Sequence, residues 1–317
     1  MSPHACSLLG CAVEDDRELT LADYEGAIAR WCPGCGDHAV LTAAEKLLAA
    51  EQLRPETTVF VSGIGCSSRF PHYIHTYGFH GLHGRALPVA TGVKLHRPEL
   101  DVFVVMGDGD CCSIGAGHWL HATRYNMDLT VLMLDNNIYG LTKKQTSPTT
   151  PQGFPSNTQP RGSWLPALDP IQATLGITNA SFVAQTAEWI PQHLFATLQA
   201  AYRHPGFAFV RILQRCPQYT PTLYQLAVLQ PETVEMMVHD DGVVVPELDR
   251  IYGNQLRHDP RDLDAARRLA ATDGKIRLGV FFRDASRPRY DEMRRVPRHT
   301  AAEKVNLLQR EFDRHAV

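Results

Sequence analysis

Val102-Phe103-Val104-Val105-Met106-Gly107-Asp108-Gly109-Asp110 opens the stretch that decides the fold, and Leu129-Thr130-Val131-Leu132-Met133-Leu134-Asp135-Asn136-Asn137 closes it. Each begins as a short apolar run rich in β-branched or long aliphatic residues, the pattern of a strand buried on both faces, which belongs to a parallel sheet. Between them, from Ile114 to Tyr125, apolar positions recur at helical spacing. A strand, a helix and a strand of this length form one right-handed crossover, so the two strands run parallel and end on the same edge of the sheet. Asp108 and Asn136 are thereby expected to meet.

A carboxylate and an amide oxygen converging ahead of a helix amino terminus suit a magnesium ion carrying a diphosphate. The metal takes hard oxygen ligands and the anion takes backbone N–H groups. No Lys follows the glycines, and the third glycine of a dinucleotide fingerprint is missing, so Walker and Rossmann readings lose. Gly107-Asp108-Gly109, the 26 residues from Asp110 to Asp135, and Asn136-Asn137 together resemble the diphosphate-binding domain of thiamine diphosphate enzymes. The resemblance implies an α/β fold: a parallel sheet with helices on both faces.

The remaining composition narrows the field. At 317 residues, 44% apolar and a formal charge of −3, with no eighteen-residue apolar run, the chain reads as a soluble globular protein engaging neither nucleic acid nor membrane. Leu8-Leu9-Gly10-Cys11 looks like a lipoprotein cleavage box, but only ten residues precede the cysteine and none is Lys or Arg, so a cytoplasmic location is expected. Eight cysteines in a large intracellular chain point to metal ligands or buried thiols rather than disulfides.

Residues 1–22 read as an acidic lead-in, 23–220 as the cofactor-binding domain and 221–317 as a carboxyl-terminal extension. Cys32-Pro33-Gly34-Cys35 can grip one metal centre, the Pro-Gly turn aiming N–H groups at sulfur; no strand precedes it, as a thioredoxin-type pair would require. A helix is expected over Ala39–Leu53 and a strand over Thr57–Val61, ending at Ser62–Arg69, which puts Cys66 just past a strand's carboxyl end. Among the histidines of the glycine-rich stretch that follows, His83 is singled out as able to reach a cofactor, ahead of a helix over Ala86–Lys94. The segment from Lys143 to Pro166 reads as an active-site flap or interaction loop. Helices are expected at Pro170–Gly176 and Trp189–Tyr202, with a strand at Ser181–Ala184. Phe207–Leu213 is expected as the last strand of the sheet, with Cys216 just beyond it. From Ile251 onward 15 Lys plus Arg face 10 Asp plus Glu, an excess suited to an acidic electron carrier or simply to a solvated face.

Cys66 and Cys216 are thus placed on the rim that gathers Asp108 and Asn136, and Cys32 with Cys35 folded over it would complete four thiolates, suited to an iron–sulfur cluster or to zinc. Trp31–Gly36, Gly63–Arg69, His83-Gly84-Arg85, Gly107–Asp110 and Asn136–Thr142 in combination resemble the β subunit of 2-oxoacid:ferredoxin oxidoreductases over roughly residues 25–220. The stretch Thr76–Ala86 looks most like the 2-oxoglutarate members, with pyruvate the alternative substrate.

That resemblance implies a 4Fe–4S cluster on Cys32, Cys35, Cys66 and Cys216, and Mg²⁺ on Asp108, Asn136 and the carbonyl of Ile138. It implies thiamine diphosphate lined by Ile64, Gly65, Cys66, Ser67, Gly109, Asp110, Leu141 and Thr142, with Arg69 facing the substrate pocket. The implied reaction converts 2-oxoglutarate and coenzyme A to succinyl-CoA and CO₂ and passes electrons to ferredoxin. An α subunit would bring the glutamate that activates the aminopyrimidine, in an αβ or (αβ)₂ assembly, and the isolated chain would be inactive. A non-oxidative thiamine decarboxylase and a zinc-stapled scaffold are the competing classes.

Overall fold

The computed structural model describes residues 17–271, 273–294 and 300–315. The strands, in chain order, are β1 (Thr58–Ser62), β2 (Tyr77–His80), β3 (Asp101–Gly107), β4 (Leu129–Asp135), β5 (Ile138–Tyr139), β6 (Gln145–Thr146), β7 (Phe182–Ala187), β8 (Phe207–Leu213), β9 (Val234–Val238), β10 (Gln255–Arg257) and β11 (Ile276–Arg283). Nine of them form one sheet in the order β10-β9-β11-β7-β8-β4-β3-β1-β2, while β5 and β6 pair separately as a small antiparallel ribbon. From β2 to β7 every pairing is parallel.

Alternation along the central strands sends side chains to two cores. Val59, Val61, Val102, Val104, Met106, Val131 and Met133 enter one, covered by helices Ala86–His96 and Ala116–Tyr125. Phe60, Phe103, Val105, Leu132 and Leu134 enter the other, under helices Asp37–Ala50 and Pro191–Tyr202. Phe60 stacks on Phe103 with centroids 4.8 Å apart. Each such ring, buried in full, contributes roughly 1.5–3 kcal/mol of transfer free energy. Predominantly apolar runs are therefore what this sheet requires.

The chain passes from β1 outward to β2, then crosses to β3 on the other side of β1. Ligands of open α/β sheets collect outside the carboxyl ends of strands at such a reversal. The loops leaving β1 and β3 there are residues 63–69 and 107–110.

Two expectations are corrected. Phe207–Leu213 is a strand with the expected bounds, but it is interior, between β4 and β7, and three more strands follow it in the sheet. β11 lies antiparallel to β7 with a register shift between Val280 and Phe282, and β9 and β10 continue outward from it. Part of the segment expected as a carboxyl-terminal extension thus belongs to the main sheet, and the basic composition around residues 276–283 hid this. Arg277, for example, lies along the strand with its guanidinium on Glu235 and Asp273. The glycine-rich stretch near residue 80 also holds an edge strand, β2, all four residues of which are exposed, so no apolar pattern marked it. Most of the lead-in, including Cys6 and the Leu8–Cys11 box, lies outside the described residues. Among the described residues no helix is long and apolar enough to cross a membrane.

Candidate active site

A cleft at the carboxyl edge is lined by Ile64, Gly65, Cys66 and Ser67 after β1, His83 after β2, Gly107–Asp110 after β3, and Asn136 with Ile138–Thr142 after β4. Of the candidates for magnesium and thiamine diphosphate, all line it. Arg69 is not among the lining residues: it sits on the short helix Ser67–His72 with its guanidinium 5.6 Å from the centre of the Tyr73 ring.

Local geometry explains the glycines. A Cβ on Gly109 would stand 2.1 Å from the Tyr139 ring, whose hydroxyl donates to the Gly109 carbonyl at 2.9 Å. Gly65 has φ +146°, a backbone conformation side-chain-bearing residues rarely adopt, and no atom within 4 Å of where a Cβ would be. The chain past Gly109 makes a π turn over Asp110–Ile114 before helix Ala116–Tyr125 begins, so free N–H groups face the cleft end of that helix.

Asp110 is a staple within the cleft wall. Its Oδ1 accepts the Ile64 N–H at 3.2 Å, the Gly84 N–H at 2.7 Å and Nδ1–H of His83 at 2.5 Å. A carboxylate only accepts, which places a proton of His83 on Nδ1. Burial raises the Asp110 carboxyl, and these donors offset it. The His83 ring stands edge-on to Tyr139 with centroids 5.9 Å apart.

Asp108 is 2% exposed. Both of its hydroxyl partners, Ser147 and Thr149, take the same oxygen, Oδ2, Thr149 at 2.8 Å. Burial first and Asp135 second push its carboxyl upward, while the hydroxyls pull it back. Thr149 also stands 2.9 Å from Asp135, whose other oxygen receives Nε and Nη2 of Arg211, each at 2.7 Å. Asn136 Oδ1 accepts the Ile138 N–H at 3.2 Å and keeps a second lone pair for a metal. The second asparagine braces the turn instead. Asn137 adopts φ +59°, accepts from the Tyr224 hydroxyl at 2.9 Å and donates to the Thr149 carbonyl at 2.5 Å. Two carboxyl-end oxygens, a neighbouring carbonyl and a glycine-walled cleft at a helix start fit a magnesium-bound diphosphate.

Sequence reasoning missed Ser147, Thr149 and Arg211. The first two belong to the segment read as a flap, where the hydroxyl run Thr146-Ser147-Pro148-Thr149-Thr150 was the available signal. Arg211 interrupts an otherwise apolar strand.

The four candidate cysteines converge beside this cleft. Trp31 Nε1 donates to the Cys66 carbonyl at 2.7 Å, the Gly36 N–H to the Arg215 carbonyl at 3.1 Å, and Gln214 Nε2 to Cys35 Sγ at 3.3 Å. The Cys32–Gly36 turn is thereby tied to the ends of β1 and β8. A Cβ on Gly36 would meet the Glu188 and Gln214 side chains at 2.6 and 2.9 Å, so this glycine is required for the close approach. Burial pushes the Cys66 thiol up to about 12, with Asp37, Cys216 and Cys32 adding to the rise and Arg69 opposing it. Cys35 is raised further, again chiefly by burial, with Asp37, Cys216 and Cys66 contributing. Among the described residues no three of these sulfurs fall within 4.8 Å of one another. Cys66 Sγ is 3.6 Å from where a Cβ on Gly140 would sit, so the sulfur corner and the cleft share a wall. Cys111 and Cys112 are buried residues of the π turn itself.

Comparison with known proteins agrees with this geometry. Residues 63–212 match the thiamine pyrophosphate enzyme, C-terminal TPP binding domain, which defines the class. The chain is 37% identical over 262 residues to the 2-oxoacid:ferredoxin oxidoreductase 1, subunit beta of Aeropyrum pernix, covering 83% of this chain and 80% of that one. It is 49% identical over 188 residues to the 2-oxoglutarate oxidoreductase subunit KorB of Mycobacterium tuberculosis, where the match spans 59% of this chain and half of the relative's length. Among solved structures, the 2-oxoglutarate:ferredoxin oxidoreductase from Magnetococcus marinus with 2-oxoglutarate, coenzyme A and succinyl-CoA bound superposes with a TM-score of 0.76 and 32% identity, over 94% of this chain and 92% of that one. The chain belongs to the β subunits of the 2-oxoacid:ferredoxin oxidoreductases, an oxidoreductase family whose β subunits imply an α partner.

Proposed function

We propose that the chain is the cofactor-bearing subunit of a 2-oxoglutarate:ferredoxin oxidoreductase. With an α subunit, in an αβ or (αβ)₂ assembly in the cytoplasm, it takes 2-oxoglutarate, coenzyme A and two oxidised ferredoxins to succinyl-CoA, CO₂, a proton and two reduced ferredoxins. The names of the M. tuberculosis and M. marinus proteins support the choice of substrate.

One observation carries the reading: Cys66 belongs at once to the cleft and to the sulfur corner. A site for a decarboxylated adduct and a site for an electron acceptor therefore share a residue. Asp108, Asn136 and the Ile138 carbonyl would hold Mg²⁺, and Ile64–Ser67, His83, Gly109, Asp110, Leu141 and Thr142 would enclose thiamine diphosphate. That coenzyme supplies a nucleophilic carbon and a cationic ring that accepts the electron pair left when CO₂ departs. Cys32, Cys35, Cys66 and Cys216 would hold a 4Fe–4S cluster. A single tetrahedral zinc with bonds of about 2.3 Å would need its sulfurs about 3.8 Å apart, and no three of the four are that close. Arg69, near enough to Cys66 to oppose the rise of its thiol, would meet the substrate's carboxylates from the sulfur side.

The αβ complex, purified without oxygen, is expected to hold iron and sulfide in equal amounts together with thiamine diphosphate, and to release CO₂ faster from 2-oxoglutarate than from pyruvate. The isolated chain is expected to be inactive. Colourless, iron-free complex that still decarboxylates would overturn the oxidoreductase reading for this chain.

A further inference from the structure

We propose that Thr149, seconded by Ser147, is a positioning residue for Asp108, fixing which carboxylate oxygen is offered to a metal ion, with the Arg211–Asp135 pair as its counterweight. The inference rests on reading the cleft as a magnesium–diphosphate site.

Thr149 Oγ1 lies between two buried carboxylates, 2.8 Å from Asp108 Oδ2 and 2.9 Å from Asp135 Oδ1. A hydroxyl carries one proton and can satisfy one of them at a time. Asp135 is compensated without it: Arg211 holds Oδ2 through Nε and Nη2, and the Asn137 N–H reaches Oδ1 at 3.1 Å. Asp108 has no such cation; besides its own backbone N–H, its other partner is the Ser147 hydroxyl, on the same oxygen as Thr149. Thr149 is therefore the donor available to Asp108. With both hydroxyls on Oδ2, the carboxylate is pinned in one rotation and Oδ1 is the oxygen left for the cleft.

The hydroxyl cannot swing away. Thr149 is 1% exposed, its carbonyl accepts from the Asn137 side chain, and the Thr150 hydroxyl donates to the Asn137 carbonyl at 2.6 Å. The segment 147–150 is thus fastened to the same turn that carries Asn136. Partners that orient a metal's ligands from behind set its affinity, and losing one costs about 10- to 100-fold.

The test uses the anaerobically purified αβ complex and reads Mn²⁺ affinity by electron paramagnetic resonance with thiamine diphosphate in excess. Thr149→Val, equal in shape but without the hydroxyl, is expected to bind Mn²⁺ about 10- to 100-fold more weakly, with assembly and iron content unchanged. Thr149→Ser, which keeps the hydroxyl, is expected to restore affinity to near the wild-type value, which a merely space-filling role would not require. If Thr149→Val does not assemble, Ser147→Ala acts on the same oxygen, and there too weaker Mn²⁺ binding supports the proposal and unchanged affinity overturns it. Wild-type-like Mn²⁺ affinity in Thr149→Val overturns the proposal alone. Wild-type complex that binds no Mn²⁺ with thiamine diphosphate overturns the proposal together with the reading of the cleft.

Discussion

Two corners share the carboxyl edge of this sheet and treat buried polarity in opposite ways. In the carboxylate corner, Asp108 and Asp135 are each met by at least two donors, and Arg211 brings a matching charge. In the sulfur corner, Asp37 is 1% exposed with no N–H or O–H on either oxygen, and Gln214 leaves Oε1 unpartnered. Burial pushes the Asp37 carboxyl up to about 7, the Cys35 thiol opposing and Glu188 adding. Folding alone therefore sets the carboxylate corner, because its web holds the oxygens in place, even though burial raises the Asp108 carboxyl as it raises that of Asp37. The sulfur corner is gathered by turns, in surroundings that resist negative charge on Cys35 and Cys66, so thiolates there depend on what they ligate.

The largest expected effect follows from that dependence. Cys216→Ser is expected to drop iron and sulfide in the αβ complex to background and abolish ferredoxin reduction, while thiamine diphosphate and Mn²⁺ still bind within a few-fold of wild type. Retained iron would show that the four sulfurs are not one ligand set. Lost coenzyme binding would show that the two corners are not separable.

A smaller effect is expected when the carboxylate corner is disturbed sterically. Gly109→Ala places a methyl 2.1 Å from the Tyr139 ring, so the ring must move and its hydroxyl bond to residue 109 is lost. Overpacking of this kind costs typically about 1–3 kcal/mol. The variant should unfold at lower urea and bind thiamine diphosphate more weakly, with iron content preserved. Unchanged stability and coenzyme affinity together would mean that the ring is not confined against the backbone.

Much of this contrast is legible in the sequence, and the limits have physical causes. Strands buried on both faces announce themselves as apolar runs, so β1, β3, β4, β7 and β8 are readable, and with them the loops that carry Cys66, Asp108, Asn136 and Cys216. Asp110 is also readable as part of the cleft, though not as the staple that joins Ile64, His83 and Gly84. The far side is not legible. β11 is an apolar run, but it carries a register shift and sits in basic surroundings, while β10 is three residues long with two of them exposed and β2 is fully exposed, so neither alternation nor apolarity marks those two. The partners of Asp108 are hidden for another reason: Thr149 is 41 residues away on a segment without periodicity, and a hydroxyl there looks like any loop residue until the chain folds.

The smallest effect comes from a buried group between helix Pro191–Tyr202 and β7, outside both corners, and it tests whether unpartnered polarity costs stability wherever it occurs. His193 is 1% exposed, shares a hydrogen bond at 2.8 Å between Nδ1 and the Thr186 hydroxyl, and has no partner at Nε2. Burial lowers its pKa from 6.5 to about 4. The folded chain therefore keeps the ring neutral while the unfolded chain protonates, so this group's contribution is intact above pH about 6.5 and is lost as pH falls toward about 4. Between pH 7 and 5 the loss should reach about 2 kcal/mol. His193→Gln has no proton to take up, so the stability of wild type relative to the variant, read from urea unfolding of the αβ complex, should fall by that amount over the same interval. A difference independent of pH would mean that the ring's second N–H finds an acceptor in the folded chain and that its burial carries no such cost.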